Sequence, residues 1–229
     1  MTFSTTKSVV LIVAHPDDET LWAGGTILSH PTWKCFVVCL CRGSDTNRVT
    51  KFLEALKILN AGGIMGDLDD GPEQNPLNEV IVENAILQLL PTNHFDLVIT
   101  HHSTGEYTRH LRHEETNKAV IALWRRGKIK TKELWTFAYE DGNKRYFPRP
   151  IGIADIFQKL SEKTWVKKYD IILKTYGYDK NSWETKTTPM SEAFWQYKNA
   201  WDAKLTVHPI NNDIKISKIM IIKNLIRKW

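Results

Sequence analysis

The sequence contains no apolar stretch long enough to cross a bilayer, and its first residues, MTFSTTKS, contain no hydrophobic signal core. We therefore expect a cytoplasmic protein without a transmembrane segment. The net charge of +5 is mild and no nucleic-acid-binding motif accompanies it, so we expect no nucleic-acid partner. Charged residues make up 25% of the chain, which is typical of a folded globular protein. A homo-oligomer is left open.

Cysteine is scarce, and the three cysteines present, Cys35, Cys39 and Cys41, lie in one predicted strand. They lack the C-x-x-C spacing of zinc and redox sites. Because side chains alternate between the two faces of a strand, we expect all three on the same side of the sheet. We interpret them as small buried hydrophobic residues.

The sequence also lacks a G-x-G-x-x-G loop after its first predicted strand, which argues against a nucleotide-binding Rossmann protein. Hydrophobic residues make up 42% of the 229 residues, enough for the core of one domain spanning residues 1–229. Buried-strand patterns alternate with helical patterns, which predicts an α/β fold with a three-layer, doubly wound, mostly parallel (Rossmann-like) sheet. The predicted strands are 9–13, 33–41, a short one at 64–68, 95–100 and 134–139. The predicted helices between them are 20–29, 47–60 (closed by Ala61-Gly62-Gly63) and 77–90.

The alternating pattern forms a core of about residues 1–140, and the pattern changes in the C-terminal elaboration of about residues 141–229. There we predict a helix over 154–176, a polar loop over 177–189 and a mixed aromatic segment after it. Residues 212–229 alternate apolar and basic side chains. This predicts an amphipathic helix that docks on its own core, on a partner or on a membrane surface.

The chain is organised around the stretch VVLIVAHPDDE, residues 9–19. Its five apolar residues predict a fully buried strand, and Pro16 ends the strand because it has no N–H to donate. Four polar residues therefore follow at the carboxyl end of a strand, where ligands bind in open α/β sheets. His15 and one aspartate are suitable ligands for a divalent metal, and the other carboxylate would be free to act as a general base. Alternatively, Asp17 or Asp18 caps a helix that begins near Glu19.

A second group of candidate ligands follows the strand predicted at 95–100, namely His101, His102, His110 and His113. In a parallel sheet this loop opens on the same edge as the AHPDDE loop, so the two sets of residues can converge. His110 and His113 have the i,i+3 spacing that places two side chains on one face of a helical turn.

The AHPDDE strand–loop–helix and the H-x-x-H that follows 95 residues after His15 resemble the LmbE/PIG-L family of zinc-dependent N-deacetylases. The resemblance covers roughly residues 8–140 and continues faintly at Lys168 and Tyr176. It implies a hydrolase that removes the N-acetyl group of an N-acetylglucosamine-type sugar or glycoconjugate with a metal-activated water. The implied cofactor is Zn²⁺ or another divalent metal.

The resemblance also implies a role for individual residues, with His15, Asp18 and His113 as metal ligands and Asp17 as the general base. His110 would be the oxyanion stabiliser or the general acid. Arg48 and, more loosely, Asp70 would bind substrate, and Glu19 would anchor the loop by hydrogen bonding.

The chain departs from the family pattern at the second site. Arg112 stands where an acid often lies between the two histidines, and we expect it to disfavour protonation of His110. Tyr107 is one residue further from His110 than the usual tyrosine, and Lys51 replaces an acid that often follows the arginine. Two alternatives therefore stay open: a zinc amidase acting on a non-sugar N-acyl substrate, and an inactive relative that binds a sugar or a partner protein.

Overall fold

The computed structural model describes residues 6–205, and the structural statements below concern that part of the chain. The strands are β1 Ser8–Val13, β2 Lys34–Cys41, β3 Ala61–Leu68, β4 His94–Thr100, β5 Lys130–Phe137, β6 Tyr139–Glu140, β7 Arg149–Pro150, β8 Ile156–Lys159 and β9 Ser191–Tyr197. The helices are α1 Asp18–Ser29, α2 Thr46–Leu59, α3 Glu79–Leu89, α4 Leu111–Arg125, α5 Glu162–Asp170, α6 Trp183–Thr187 and α7 Asp202–Leu205, and a π-helical turn, Ile171–Thr175, follows α5. The terminal helix predicted over 212–229 lies outside the described residues.

Seven strands form one sheet in the order β3-β2-β1-β4-β5-β9-β8. The five strands from β3 to β5 are parallel, whereas β9 and β8 add to the β5 edge in antiparallel orientation. The strands β6 and β7 form a separate two-stranded sheet. The predicted α/β fold with a mostly parallel sheet is confirmed, and β1 lies at its centre.

Helices cover both faces of the sheet, and β1 is buried on both sides because of its uninterrupted apolar sequence. Val9, Leu11 and Val13 pack in the layer with α1 and α2, whereas Val10 and Ile12 pack in the layer with α3 and α4. No helix within residues 6–205 is both long and apolar enough to traverse a bilayer.

The third strand is longer than predicted. Helix α2 is closed by Asn60, which adopts a left-handed conformation with φ 56°, and β3 begins at the next residue. The predicted helix-closing residues Gly62 and Gly63 therefore lie in the strand. Gly63 is required there, since a Cβ at this position would lie 2.6 Å from the backbone carbonyl oxygen of Val37 in the neighbouring strand.

The helix predicted over 154–176 is also corrected. Residues 156–159 form the edge strand β8, which pairs with β9, and α5 begins only after Ser161, whose side chain accepts the Thr164 N–H. The loop predicted over 177–189 contains α6, and the aromatic segment after it is β9. Because β9 needs partners on both sides, its long-range pairing overrides the local helical pattern of 156–159.

The three cysteines are buried and free, but they do not share one face. Cys35 and Cys39 pack in the layer with α1 and α2, whereas Cys41 packs in the opposite layer. The ladder between β2 and β3 shifts register between Cys39 and Cys41, and this irregularity breaks the alternation on which the prediction rested.

Candidate active site

The candidate site is formed by two loops at the carboxyl ends of the neighbouring strands β1 and β4. The β1 loop carries His15, Asp17 and Asp18, and the loop and helix after β4 carry His110 and His113. The two strands are held in register by their parallel ladder and by Thr100, whose hydroxyl donates to the Ile12 carbonyl at 2.8 Å. The expected convergence of the two sets of residues is therefore observed.

Three side-chain atoms form a nearly equilateral triangle at this point. His15 Nδ1 lies 3.2 Å from His113 Nε2 and 3.3 Å from Asp18 Oδ2, and the last two atoms are 3.4 Å apart. In a tetrahedral site with metal–ligand bonds of about 2.0–2.1 Å, two ligand atoms lie about 3.3–3.4 Å apart. Two imidazole nitrogens and a carboxylate oxygen at this spacing are compatible with a divalent metal ion.

The alternative in which an aspartate side chain caps α1 is not observed. Asp17 is the N-cap residue, but its side chain accepts no hydrogen bond from the helix. Its backbone adopts φ 127°, a region that favours glycine and that is found most often at functional sites. Asp18 is the first helical residue, and its Oδ2 accepts the His15 N–H at 2.8 Å, which holds the loop in place.

The two aspartates differ in their electrostatic surroundings. Burial raises the pKa of Asp17 well above its usual value, and the neighbouring Asp18 carboxylate raises it further. Burial also opposes ionisation of Asp18, but the imidazoles of His113 and His101 outweigh it, and the pKa of Asp18 lies well below its usual value. Asp18 is therefore the carboxylate suited to holding a cation.

Glu106 supports the site from behind. Its Oε2 lies 2.6 Å from His113 Nδ1 and 2.8 Å from His101 Nδ1, and all three side chains are fully buried. Burial opposes ionisation of Glu106, but the two imidazoles lower its pKa to about 2. A carboxylate on Nδ1 leaves Nε2 of His113 free to face the triangle, which is a common arrangement behind metal-binding histidines.

His101 has a supporting position, although Asp18, His101 and His113 are also close enough together to hold a metal. The Ala14 N–H donates to His101 Nε2 at 3.0 Å, so the lone pair of this nitrogen is already engaged. Ligation through Nε2 would leave a buried backbone N–H without an acceptor, which is costly. His102 does not join the site, because its Nδ1 lies 2.8 Å from the Thr104 hydroxyl.

Asp70 lies in the site but is strongly engaged by neighbouring side chains. Its Oδ1 is 3.3 Å from His15 Nε2 and accepts from Gln74 at 2.9 Å, while Oδ2 accepts from Arg42 Nε at 2.9 Å. Burial opposes its ionisation, but His15, Gln74 and Arg42 together lower the pKa of Asp70. The nearby Cys41 is a poor alternative ligand, since burial raises the pKa of its thiol to about 12.

His110 occupies the N-cap position of α4, and its ring centroid lies 4.4 Å from that of His15. Burial and the neighbouring imidazoles of His113 and His15 lower the pKa of His110 to about 3. The ring is therefore neutral at pH 7 and carries one N–H. Within the described part of the chain, its buried Nδ1 has no hydrogen-bond partner.

Arg112 is engaged by groups other than His110. Its buried guanidinium donates to the backbone carbonyls of Asp69 and Asn75 and to the Glu115 carboxylate. These contacts tie α4 to the segment between β3 and α3. Protonation of His110 is disfavoured as expected, with burial and the imidazoles of His113 and His15 as the main causes.

A cavity of about 340 Å³ opens beside the triangle and is lined by His15, Asp17, Asp18, Arg42, Arg48, Asp70, Tyr107, His110, Tyr178 and Trp183, among others. Arg48 reaches it because Asp45 caps α2, accepting the N–H groups of Asn47 and Arg48. Tyr107 forms part of the wall, with its ring centroid 5.8 Å from that of His110, despite its shifted position in the sequence.

Sequence reasoning missed three contributors: the supporting pair His101 and Glu106, and Tyr178. His101 directly follows the β4 strand and was counted only among candidate ligands. A glutamate four residues before His110 is a usable signal for a buried partner of the H-x-x-H histidines. Nothing in the sequence pointed to Tyr178, because it lies 161 residues from Asp17. The Asp17 carboxylate accepts a hydrogen bond from the Tyr178 hydroxyl.

Comparison with known proteins identifies the family of this chain and its fold. A model of the PIG-L family, described as GlcNAc-PI de-N-acetylase, matches residues 10–124, which is 115 of the 229 residues and contains all seven predicted site residues. The chain belongs to the PIG-L family. Its described relatives include protein L374 of Acanthamoeba polyphaga mimivirus, with 26% identity over 185 residues covering 74% of this chain and 75% of L374.

Two solved structures show the same fold at low sequence identity. The N,N'-diacetylchitobiose deacetylase of Pyrococcus horikoshii superposes with a TM-score of 0.65 and 15% identity over 93% of this chain and 90% of that chain. The 4-carboxy-2-hydroxymuconate hydratase GalB of Pseudomonas putida superposes with a TM-score of 0.58 and 17% identity over 93% of this chain and 100% of that chain. The fold of this PIG-L chain is thus shared by a deacetylase and by a hydratase.

Proposed function

We propose that this PIG-L protein is a zinc-dependent hydrolase that removes the N-acetyl group from an N-acetylglucosamine-type sugar or glycoconjugate. The observation that carries the proposal is the triangle of His15, Asp18 and His113 ligand atoms beside the Asp17 carboxylate, on the wall of one cavity. The family match and the likeness to a chitobiose deacetylase support the same reaction class.

His15, Asp18 and His113 are the residues that would hold the zinc ion. When bound at such a site, zinc lowers the pKa of a water molecule and polarises the carbonyl that the water attacks. Glu106 and Asp70 contact the second nitrogens of His113 and His15 and so orient the two imidazoles.

Asp17 is the proposed general base. It accepts a proton from the attacking water and passes it to the amine as the amide C–N bond breaks. His110, whose neutral ring keeps one N–H, donates a hydrogen bond to the oxygen that becomes negative when the carbonyl is attacked. Of the two roles considered for His110, oxyanion donor and general acid, we assign the first, because Asp17 already carries the proton from the water to the amine.

Asp70 is a proposed substrate-binding residue, and Arg48, for which the resemblance implies the same role, also lines the cavity. One support of the inactive alternative is weaker, because the Arg112 guanidinium is engaged by the Asp69 and Asn75 carbonyls and by the Glu115 carboxylate. The shifted Tyr107 still reaches the cavity wall. A non-sugar N-acyl substrate would use the same residues and differs only in what fills the cavity.

The test is to purify the metal-loaded protein, measure its zinc content and assay a panel of N-acetyl sugars alongside non-sugar N-acetyl amides. We expect one zinc per chain and equal amounts of free amine and acetate from at least one sugar. Release from the non-sugar amides alone would favour the amidase alternative. Zinc retention without any acetate release would support a binding protein or a different reaction, such as the hydration that GalB catalyses.

A further inference from the structure

Within residues 6–205, Tyr178 is the one hydroxyl of the C-terminal part that reaches the proposed base. It follows the π-helical turn, and its backbone N–H donates to the Ile172 carbonyl at 3.3 Å. The preceding Gly177 adopts φ 75°, a conformation that turns the chain towards the cavity. The half-buried tyrosine lines the cavity beside Asp17 and Arg48, outside the residues that the family model matches.

The direction of the hydrogen bonds around Tyr178 follows from the groups involved. Arg48 Nη1 can only donate, and it donates to the Tyr178 hydroxyl oxygen at 2.7 Å. The hydroxyl has a single proton, and it uses that proton to donate a hydrogen bond to Asp17 Oδ2. Arg48, Tyr178 and the Asp17 carboxylate therefore form one chain of donors and acceptors.

This series of hydrogen bonds makes the two carboxylate oxygens of Asp17 different from each other. Oδ2 is committed to Tyr178, whereas Oδ1 receives no hydrogen bond from any side chain or backbone group in residues 6–205. Asp17 lines the cavity, so Oδ1 is the oxygen left to accept a proton there. Fixing a carboxylate in one rotamer is a large part of what makes it an effective base.

We propose that Tyr178 is a positioning residue that orients the Asp17 carboxylate so that Oδ1 is the oxygen that takes the proton of water. Arg48 acts through Tyr178 and not by direct contact with the substrate, which revises the role that the sequence resemblance implied for it. The inference rests on the proposed function only in its kinetic consequences, because the orientation of Asp17 can be measured without turnover.

A second tyrosine offers a matched comparison two residues earlier in the chain. Tyr176 donates its hydroxyl proton to Glu19 Oε1 at 2.8 Å, but it is fully buried and does not line the cavity. Glu19 also accepts from the Asp17 N–H and the Thr20 hydroxyl, so it stays anchored when one bond is lost. Loss of either tyrosine hydroxyl removes one bond to a carboxylate of the AHPDDE loop.

The kinetic experiment compares Tyr178→Phe, Arg48→Met, their double variant and Tyr176→Phe as zinc-loaded proteins. We expect Tyr178→Phe to lower kcat by about 10–100-fold, with KM within about twofold and zinc content unchanged. The double variant should be no slower than Tyr178→Phe alone. The two substitutions break the same series of hydrogen bonds, so their effects on kcat should not add. Tyr176→Phe should lower the melting temperature with a much smaller change in kcat.

Three kinetic results would overturn the inference. They are an unchanged kcat in Tyr178→Phe, a raised KM with unchanged kcat in Arg48→Met, and additive losses in the double variant. The second result would return Arg48 to direct substrate binding.

The measurement that is independent of turnover is a pair of crystal structures, of wild type and of Tyr178→Phe, both zinc-loaded. We expect one Asp17 rotamer bonded to Tyr178 in the wild type, and a rotated carboxylate or two rotamers in the variant. The same single rotamer in both structures would refute the positioning role. If no substrate of the wild type is found, the proposed function fails, while these two structures still decide the inference.

Discussion

Two groups of buried charges lie along helix α1, and they differ in whether their charges are balanced. At the start of the helix, three buried carboxylates, those of Asp17, Asp18 and Glu19, are consecutive in the sequence. In the middle, Glu192 accepts the N–H groups of Gly25 and Thr26 at 2.7 and 2.6 Å, and Lys168 Nζ at 2.7 Å. Lys168 and Glu192 are both fully buried.

The middle group, Lys168–Glu192, is electrically complete, since one ammonium faces one carboxylate. The Gly25 N–H and Lys168 both donate to Oε1 of Glu192, and the Thr26 N–H donates to Oε2. Burial lowers the pKa of Lys168, and the Glu192 carboxylate counteracts this. In the group at the start of the helix, the partners that lower the pKa of Asp18 are the imidazoles of His113 and His101, and no lysine or arginine takes that place among the described residues. The balanced pair needs no further cation, whereas the unbalanced group at the start of the helix is compatible with a divalent metal ion.

The largest effect that would sharpen this comparison is on catalysis. Asp17→Asn should lower kcat by about 10²–10⁴-fold, because the amide cannot accept the proton of water. The metal should remain, since Asp18 and both histidines are unchanged. Steady-state kinetics and elemental analysis check this, with exposed Asp179→Asn as the control. Wild-type rates in Asp17→Asn would remove Asp17 from the role of base.

The next largest effect is expected at the balanced pair. Lys168→Met should destabilise the protein by about 3–5 kcal/mol, because it leaves the Glu192 carboxylate buried without its cation. The control is Lys174→Met, which breaks an exposed i,i+4 pair with Asp170 and should cost less than about 0.5 kcal/mol. Denaturant unfolding measures both.

The double variant Lys168→Met/Glu192→Gln tests whether the cost of Lys168→Met comes from the uncompensated charge. We expect it to recover part of the lost stability, because the neutral amide still accepts one of the two N–H groups of α1. A double variant as unstable as Lys168→Met would show that the lysine acts through packing and not through charge.

Metal removal should affect only the unbalanced group. A chelator should lower the melting temperature of the metal-loaded wild type, corresponding to about 2.7 kcal/mol when the free metal was at a hundred times its Kd. His113→Ala should lose the metal and make the melting temperature insensitive to chelator, whereas exposed His94→Ala should behave as wild type. Unchanged zinc content in His113→Ala would remove His113 from the ligand set.

The smallest effect is expected at the partly exposed ion pair of Asp96 and Lys132, which provides a baseline for the two buried groups of charges along α1. Asp96 accepts hydrogen bonds from the Ser8 N–H and hydroxyl and from Lys132, and Lys132 foremost lowers its pKa to about 2. Its stabilising contribution is therefore present above about pH 4, the value in an unfolded chain, and is lost as the pH falls towards 2.

Asp96→Asn should accordingly be less stable than wild type at pH 7 by no more than about 1 kcal/mol, and the difference should vanish near pH 2. Urea unfolding of both proteins at several pH values measures it. A difference that persists at pH 2 would mean that Asp96 acts through its neutral hydrogen bonds.

The part of the site that could be predicted is the part carried by local sequence. The AHPDDE loop follows an apolar strand, and the H-x-x-H opens a helix after another strand, so parallel-sheet topology alone brings His15, Asp18 and His113 to one edge. The strand at residues 156–159, where the sequence predicts a helix, could not be predicted because its pairing with β9 decides its structure. A cytoplasmic location, a homo-oligomer and the extent of the single domain stay predictions.

By itself, the sequence determined the order of strands and helices in the core, the family and the residues that surround the triangle, because hydrophobic periodicity and a short motif act over a few residues. Only the tertiary structure decided that Cys41 faces the opposite layer, that the His101 lone pair is taken by Ala14 and that Tyr178 donates to Asp17. These contacts depend on register and on hydrogen-bond direction between segments up to 161 residues apart. Both are set by packing and cannot be read from any one segment.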